Sequence, residues 1–262
     1  MKRISTMILF LFAVIFISCV SVSGSEAAGL KNNQINKNIT EGWVRIKSET
    51  YFLKNGEKQT GWHKIGGKQY YFGKKGILQK NKIVGNKKSG YAYVDSNGIC
   101  VTDKVIQSAV KFVVENSSCK DSQKKKLKSC YEALCTYHYR RLGSDRPDAE
   151  KMRPYASHMF KNKYGDCYRF ASAFAYIARV LGYDSRFCFD NTNTMHGWCE
   201  IKTDGKWNVC DCTMKIAYKM PDFFLVDKGE YQALVYMKWG VDLKWDYTYT
   251  MHVKKGKINW KS

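Results

Sequence analysis

The stretch YGDCYRFASAFAYIARVLGY, residues 164–183, decides the fold of this chain because it predicts one long helix with a cysteine in its first turn. Its apolar residues recur at steps of three and four, Asp166 is a candidate N-cap, and Gly182 is a candidate stop. Cys167 therefore lies where unpaired N–H groups and the positive end of the helix dipole favour a thiolate, and where they can stabilise an oxyanion. A small buried cysteine that packs a helix end fits the same pattern. The role of Cys167 thus depends on residues elsewhere in the chain.

A second stretch, MHGWCEIKTDGKWNVCDC (residues 195–212), predicts a hairpin that brings a histidine close to an aspartate. The pair Asp204-Gly205 is a strong signal for a two-residue hairpin turn. The pairing that this turn implies places Trp198 opposite Asp211, with His196 diagonal to Asp211 on the same face of the sheet. Diagonal neighbours lie about 7–8 Å apart at Cα, so the carboxylate can reach the imidazole.

Together these stretches supply a nucleophile, a base and a group that orients the base: Cys167, His196 and Asp211. Four short motifs occur in order along the chain: Gly165-Asp166-Cys167, Leu181-Gly182-Tyr183 with Arg186, His196-Gly197-Trp198, and Trp207 with Asp211. In these motifs the chain resembles the transglutaminase-like (papain-like thiol) core over about residues 130–215. The resemblance implies that Cys167, His196 and Asp211 form a catalytic triad.

The order of the remaining elements predicts an α+β fold. Helical spacing or capping signals occur at residues 105–115, 121–143 and 146–160, before the helix at 164–183. After Gly182 the chain consists of short strand-like runs, which indicate a mostly antiparallel sheet. We therefore expect a papain-like transglutaminase core, in which helices pack on an antiparallel sheet, over residues 102–262.

An internal repeat precedes this core. The pair Gly42-Trp43 returns as Gly61-Trp62 after 19 residues, and a diverged third copy occupies residues 81–101. Each copy predicts a short strand, a Gly-bearing turn and another strand, which is too small to bury its aromatics unless the copies stack. The sequence resembles the cell-wall-binding (choline-binding type) repeats of Gram-positive surface proteins over about residues 41–101.

That resemblance implies shallow aromatic cages for a quaternary ammonium group, held by cation–π contacts. The matching candidates are Trp43, Tyr51, Trp62, Tyr70 and Tyr71. Packing of hairpin on hairpin explains the same aromatics equally well. Both interpretations stay open from the sequence.

The N-terminus and the charge point to an exported protein. Residues 1–28 predict a secretory signal peptide, with Lys2 and Arg3 before a short apolar run, and residues 29–40 form a polar linker. We expect no membrane span. The net charge of +21 favours an anionic partner, which for an exported protein is a cell-wall or surface polyanion and not nucleic acid.

Nine cysteines follow Cys19, which in an oxidising compartment allows up to four disulfides and one free thiol. The predicted hairpin places Cys199 opposite Cys210, as a cross-strand disulfide or, as we favour, a packed or reduced pair. No CxxC spacing supports a zinc site at Cys188, Cys199, Cys210 and Cys212. We expect neither a metal nor a cofactor.

The sequence as a whole predicts a secreted, cell-wall-associated thiol enzyme that transfers the acyl group of an amide or peptide through a cysteine thioester. Peptidase, deamidase and cross-linking activities stay open, because the motifs encode the nucleophile and not the acceptor. The expected partners are a peptide or protein amide substrate and, through the repeats, a cell-wall polymer or glycan. The alternative is a non-catalytic surface binding or adhesion protein that retains the transglutaminase-like fold.

Overall fold

The computed structural model of the protein describes residues 40–143, 146–190, 195–245 and 247–262. The predicted signal peptide (1–28) and residues 29–39 of the predicted linker lie outside the described residues. None of the helices within the described ranges is both long and apolar enough to cross a membrane.

The repeats fold as antiparallel hairpins. Their strands are β1 (Gly42–Ile46), β2 (Glu49–Lys54), β3 (Glu57–Lys58), β4 (Gly61–Ile65), β5 (Lys68–Phe72), β6 (Lys82–Asn86) and β7 (Gly90–Val94). The predicted Gly-bearing turn follows the second strand of each copy, and a short pairing closes it: Leu53 with Lys58, Phe72 with Leu78, and Val94 with Cys100. Each copy thus contains two hairpins: the predicted one around the Gly-bearing turn and a tighter one, such as β4–β5, that precedes it in the chain.

The third copy packs into the helical part of the chain. Tyr93 and Val101 are fully buried in the same apolar cluster as the helices. The Gly256 N–H donates to the Asp95 carboxylate at 2.8 Å, which ties this copy to the C-terminal hairpin as well. The copy that lost its Gly-Trp pair is therefore the copy that docks on the core.

Six helices occur in the described residues: α1 (Lys104–Asn116), α2 (Gln123–Leu134), α3 (Met152–Asn162), α4 (Cys167–Val180), α5 (Cys212–Tyr218) and α6 (Lys228–Trp239). The helix predicted at 121–143 ends at Leu134, because the chain leaves it to form β8 (His138–Tyr139), which pairs in parallel with β9 (Tyr164–Gly165). The helix predicted at 146–160 begins only at Met152. The Asp148 side chain holds the preceding residues in a turn by accepting the N–H groups of Glu150 and Lys151.

The C-terminal half forms one antiparallel six-stranded sheet in the order β13-β12-β11-β10-β14-β15. Its strands are β10 (Asp184–Phe189), β11 (Gly197–Thr203), β12 (Lys206–Asp211), β13 (Phe223–Val226), β14 (Tyr247–Lys254) and β15 (Lys257–Lys261). Asp204 and Gly205 turn the β11–β12 hairpin with φ values of +50° and +78°, as a two-residue turn of this kind requires.

Helix α4 packs against this sheet and is surrounded by α1, α2 and α3. All but one of its residues, Arg169, are buried, from Cys167 to Val180. An apolar helix of this length cannot lie on the surface, so α4 becomes the centre of the core. The predicted α+β fold, helices on an antiparallel sheet behind an N-terminal hairpin module, is confirmed.

The nine described cysteines are all free thiols, so the disulfides that the odd cysteine count allowed are not formed. Cys199 and Cys210 are direct cross-strand partners in the predicted register, and both are buried among apolar residues. Of the two alternatives for this pair, the structure shows the packed, reduced one.

Candidate active site

Cys167 is the first residue of α4, and Asp166 caps the helix in front of it. The Asp166 carboxylate accepts the Arg169 N–H at 3.2 Å and forms an ion pair with the Arg169 guanidinium at 2.6 Å. Its backbone carbonyl accepts the N–H groups of Arg169 and Phe170. Cys167 is 8% exposed, and its thiol thus lies at the helix N-terminus with a narrow access to solvent.

His196 immediately precedes β11 and is held against the first turn of α4. The Tyr168 hydroxyl donates to the Met195 carbonyl at 2.8 Å, and the Cys167 Sγ lies 4.0 Å from the same oxygen. A Cβ atom on Gly197 would lie 2.6 Å from the Tyr168 ring, which no side chain tolerates. The glycine of the His-Gly-Trp motif therefore allows the histidine to approach the cysteine.

Asp211 ends β12 and has two structural partners as well as the histidine. Its Oδ1 accepts the Thr213 N–H at 2.9 Å and the Thr213 hydroxyl at 2.7 Å, which caps the short helix α5. Its Oδ2 lies 2.6 Å from His196 Nε2 and accepts the Tyr231 hydroxyl at 2.8 Å. The carboxylate is thus fixed on both oxygens, and it fixes the imidazole in turn.

The pKa values of this group reflect mutual stabilisation of charge. Burial lowers the pKa of His196, but the charge and hydrogen bond of Asp211 and the contact with the Cys167 thiol outweigh burial and raise it to about 10. For Asp211, burial raises the pKa, and the His196 charge together with the hydrogen bonds from His196, Thr213 and Tyr231 lowers it overall. At neutral pH the pair is therefore an imidazolium and a carboxylate.

Two tryptophans cover the imidazole. Trp198 stacks on it with ring centroids 6.0 Å apart, and Trp239 contacts it edge-on at 5.5 Å. Sequence reasoning included Trp198 in a motif, but it missed Trp239 and Tyr231, which both come from α6. Their one signal is spacing: Tyr231, Val235 and Trp239 recur every four residues and therefore share one face of that helix.

A cleft of about 370 Å³ gives access to the thiol. Besides Cys167 and His196, it is lined by Tyr139, Tyr218 and Arg141. The Arg141 side chain hydrogen bonds to the hydroxyls of both tyrosines. A cleft of this size accepts a side chain or a short peptide segment.

The structure brings the three predicted catalytic residues into one contact network, and their roles stay a prediction. The other histidines of the chain lie elsewhere; His252, for example, is exposed on β14. Within the ranges that the structure describes, no group of three His, Cys, Asp or Glu side chains is arranged to hold a metal ion.

The predicted aromatic residues of the repeats fall into two pairs and one buried residue. Trp43 of the first copy meets Tyr70 of the second at 5.0 Å, and Trp62 meets its cross-strand partner Tyr71 at 5.0 Å. Tyr51 is 5% exposed, bonds to Glu49, and carries the Lys58 ammonium 4.1 Å from its ring centroid. Trp43 is 42% exposed, so the Trp43–Tyr70 pair is open to a ligand.

Two family models match the chain. Residues 111–212 match the Transglutaminase-like superfamily, a range that includes Cys167, His196 and Asp211. Residues 60–78, which span β4 and β5, match the family described as "Putative cell wall binding repeat". None of the curated proteins matches the sequence of this chain.

Solved structures with partial similarity include the choline binding domain of Spr1274 from Streptococcus pneumoniae, at 25% identity and a TM-score of 0.23, covering 25% of this chain and 100% of that one. A "Putative Cysteine Protease" from Cytophaga hutchinsonii has 17% identity and a TM-score of 0.34, covering 42% of this chain and 39% of that one. Rad4–Rad23 bound to a 6-4 photoproduct UV lesion has 13% identity and a TM-score of 0.29, covering 57% of this chain and 41% of that one.

The chain spans about two fifths of the last two of these proteins, and the family models are therefore the firmer guide to its relationships. They match both parts of the architecture that the sequence predicted. Residues 111–212 are thus similar to the transglutaminase-like superfamily, which supports a thiol enzyme at the level of the family. Residues 60–78 are similar to a cell-wall-binding repeat, which supports a location at the cell surface.

Proposed function

We propose that this protein is an exported, cell-wall-associated thiol enzyme that transfers the acyl group of an amide through a thioester on Cys167. The single observation that supports this most is the contact network itself. A thiol at a helix N-terminus touches an imidazole, and Asp211 holds that imidazole at 2.6 Å with a pKa of about 10. An imidazolium next to a thiol stabilises the thiolate, which is the nucleophilic form.

In the proposed reaction the Cys167 thiolate attacks the carbonyl carbon of the amide, and the electron pair of the C=O bond moves to the oxygen. The first-turn N–H groups of α4 stabilise this oxyanion. When the intermediate collapses, the C–N bond breaks and His196 gives its proton to the departing nitrogen. Asp211 keeps the imidazole oriented in each step.

The thioester then transfers its acyl group to an acceptor, and neutral His196 takes the acceptor's proton. Water as the acceptor gives peptide hydrolysis or side-chain deamidation, and an amine gives a cross-link. The hairpin module, residues 41–101, is proposed to hold residues 102–262 near wall peptides and surface proteins, where a tether raises the local substrate concentration. The signal peptide at 1–28 delivers the protein there.

The test combines a chemical probe with a product analysis. Iodoacetamide near neutral pH is expected to alkylate Cys167 faster than Cys119, although Cys167 is buried and Cys119 is exposed. Replacing His196 with Ala is expected to slow the alkylation of Cys167 and to leave the alkylation rate of Cys119 unchanged. Equal or slower labelling of Cys167 in the wild type contradicts the proposed nucleophile.

For the product analysis, intact cell walls and surface proteins are incubated with the wild type or with Cys167→Ala and then analysed by mass spectrometry. Hydrolysis adds one water, deamidation replaces an amide nitrogen with oxygen, and cross-linking releases ammonia. Modification by the wild type alone supports the enzyme. Products that are identical for both proteins favour the non-catalytic adhesion protein instead.

A further inference from the structure

A second and larger depression lies between the repeats and the helices, on a part of the molecule that the proposed chemistry does not use. It has a volume of about 740 Å³, twice that of the cleft at Cys167. Residues of β5, β6 and β7 line one side, and residues of α1, α2 and the end of α4 line the other. We call it the hairpin–helix groove.

The floor of this groove is apolar. Its apolar lining includes Ile83 and Val84 of β6, Val113 and Val114 of α1, and Leu181. Val114 is 37% exposed. Tyrosines 71 and 91 also line the groove, and Tyr91 is 38% exposed. Open apolar surface of this kind, bordered by polar groups, is typical of a binding groove.

Four lysines line the groove: Lys74, Lys82, Lys87 and Lys126. No Asp or Glu is among the lining residues, and no carboxylate of the described residues lies within ion-pair distance of these four ammonium groups. Other lysines of the same helices do have partners, such as Lys111 with Glu115 and Lys125 with Asp121. The groove therefore concentrates positive charge. The Lys125 hydrogen bond lowers the pKa of Asp121, and Lys126 contributes to this lowered pKa but forms no ion pair with Asp121.

The lysines come from separate elements that only the tertiary fold assembles. Lys74 follows β5, Lys82 begins β6, Lys87 lies in the β6–β7 turn, and Lys126 belongs to α2. Gly182 lies close to this junction, since a Cβ atom there would be 2.8 Å from the Asn81 carbonyl oxygen. Docking of the third repeat on the core thus creates the groove and its charge.

We propose that the hairpin–helix groove binds one chain of a phosphate-bearing cell-wall polymer. Its phosphates pair with the four lysines, and its carbon backbone lies on the apolar floor between Tyr71 and Tyr91. A groove of about 740 Å³ has room for a segment of a single flexible chain. The inference rests on the proposed wall attachment, and it adds a second attachment site, separate from the aromatic pairs of the repeats.

The test uses the full chain with Cys167→Ser, so that no turnover occurs, and poly(glycerol phosphate) as the probe. A groove variant carries Lys→Gln at positions 74, 82, 87 and 126. A control variant makes the same change at four exposed lysines outside the groove, positions 202, 206, 254 and 257. Affinity is measured by calorimetry at several salt concentrations, and folding of all variants is checked by thermal unfolding.

We expect the groove variant to bind at least about tenfold more weakly than its parent, with a shallower salt dependence, and the control variant to stay within about twofold. Cys119, an exposed thiol that lines the groove, supplies a local readout: saturating polymer is expected to slow its alkylation severalfold. Equal losses in both quadruple variants, an unprotected Cys119, or equal binding of DNA at the same phosphate concentration would overturn the proposal.

The outcomes separate this site from the proposed function. If Cys167 is inactive while polymer binding is intact, the proposed enzyme function is wrong and the groove proposal stands. If Trp43→Ala abolishes poly(glycerol phosphate) binding while the groove variant keeps it, the repeats alone attach the protein and the groove proposal is wrong. If the four Lys→Gln changes abolish polymer binding in the Cys167→Ser protein, and the same changes leave the reactivity of Cys167 unaltered in the protein that retains it, the groove proposal is supported independently of the enzyme.

Discussion

Two regions of this molecule, the site at Cys167 and the hairpin module, use their polar and aromatic side chains in opposite ways. Around Cys167 the functional groups are buried and fully partnered: His196 is 4% exposed, Asp211 is 2% exposed, and both carboxylate oxygens accept hydrogen bonds. In the hairpin module Trp43 is 42% exposed, and no carboxylate of the described residues forms an ion pair with its groove lysines, Lys74, Lys82 and Lys87.

The difference corresponds to two physical tasks. Chemistry at one atom requires groups that are held in place before the substrate arrives, and burial with complete hydrogen bonding supplies that order. Attachment to a polymer requires groups that exchange water for ligand, so they must remain exposed. Substitutions at the Cys167 site should therefore impair the chemistry alone, and substitutions in the hairpin module should impair attachment alone.

The largest effect is expected from Asp211→Asn. An amide still caps α5 but carries no charge for His196, so we expect kcat/KM to fall by about 10³–10⁴-fold while wall binding is retained. Asp222→Asn is the matched control, because Asp222 pairs only with the surface lysines Lys128 and Lys215. A comparable loss in both variants would contradict an orienting role for Asp211.

The pH dependence should show the same link between His196 and Asp211. The pKa of His196 is raised from its ordinary 6.5 to about 10 in the folded protein, so the stability that this charge contributes is complete below about pH 6.5 and is lost as the pH rises through about 10. Urea unfolding across this window measures the loss, and NMR titration of His196 measures the pKa itself. In Asp211→Asn the His196 pKa should fall by more than about one unit; an unchanged titration would contradict the pairing.

Gly182→Ala should destabilise the contact between the end of α4 and the third repeat. Gly182 has φ of +94° and would place a Cβ 2.8 Å from the Asn81 carbonyl oxygen, whereas Gly205 has φ of +78° and open space around it. We expect Gly205→Ala to cost about 1–3 kcal/mol of unfolding free energy from backbone strain alone, and Gly182→Ala to cost more. Urea denaturation of both variants measures the difference. Equal costs would mean that the contact with the third repeat contributes nothing.

Changing the open aromatic pair should affect attachment and leave the thiol chemistry intact. Trp43→Ala removes the 5.0 Å contact with Tyr70. We expect binding to isolated cell walls to weaken by about tenfold, which corresponds to the loss of one cation–π contact that is exposed or partly desolvated. Trp207→Ala, which removes a half-buried tryptophan from the core hairpin, is the control. Sedimentation with walls measures binding, and labelling of Cys167 should be the same in all three proteins. Unweakened binding by Trp43→Ala favours a packing role for the pair.

The smallest effect is expected from Tyr231→Phe. This change removes one hydrogen bond to Asp211 Oδ2 and leaves the ring that packs against Trp198. We expect kcat/KM to fall by about three- to tenfold, with KM unchanged, because the loss of one neutral donor loosens the carboxylate. Tyr236→Phe, on the same helix and 53% exposed, is the control and should have no effect. A drop in thermal stability without a drop in kcat would reduce Tyr231 to a packing residue.

Much of the core could be predicted from short-range patterns. The helix at Cys167–Val180, its Asp166 cap, and the Asp204-Gly205 turn follow from periodicity and turn chemistry, and the register of β11 and β12 follows from that turn. The end of α2 could not be predicted, because the polar residues after Leu134 continue a helical pattern and only pairing of β8 with β9 stops it. Local propensity is a weak guide where a distant strand supplies the partner.

The sequence by itself determined the α+β fold, the three-copy repeat with its Gly-bearing turns, and the candidate residues Cys167, His196 and Asp211, because each depends on spacing within about twenty residues or on one turn of known geometry. Only the tertiary structure decided that Tyr231 and Trp239 complete the surroundings of His196 and that the third repeat joins the core. It alone assembled four lysines from separate elements into the hairpin–helix groove. These contacts join residues far apart in the chain, and no local pattern records which distant surface a side chain will meet.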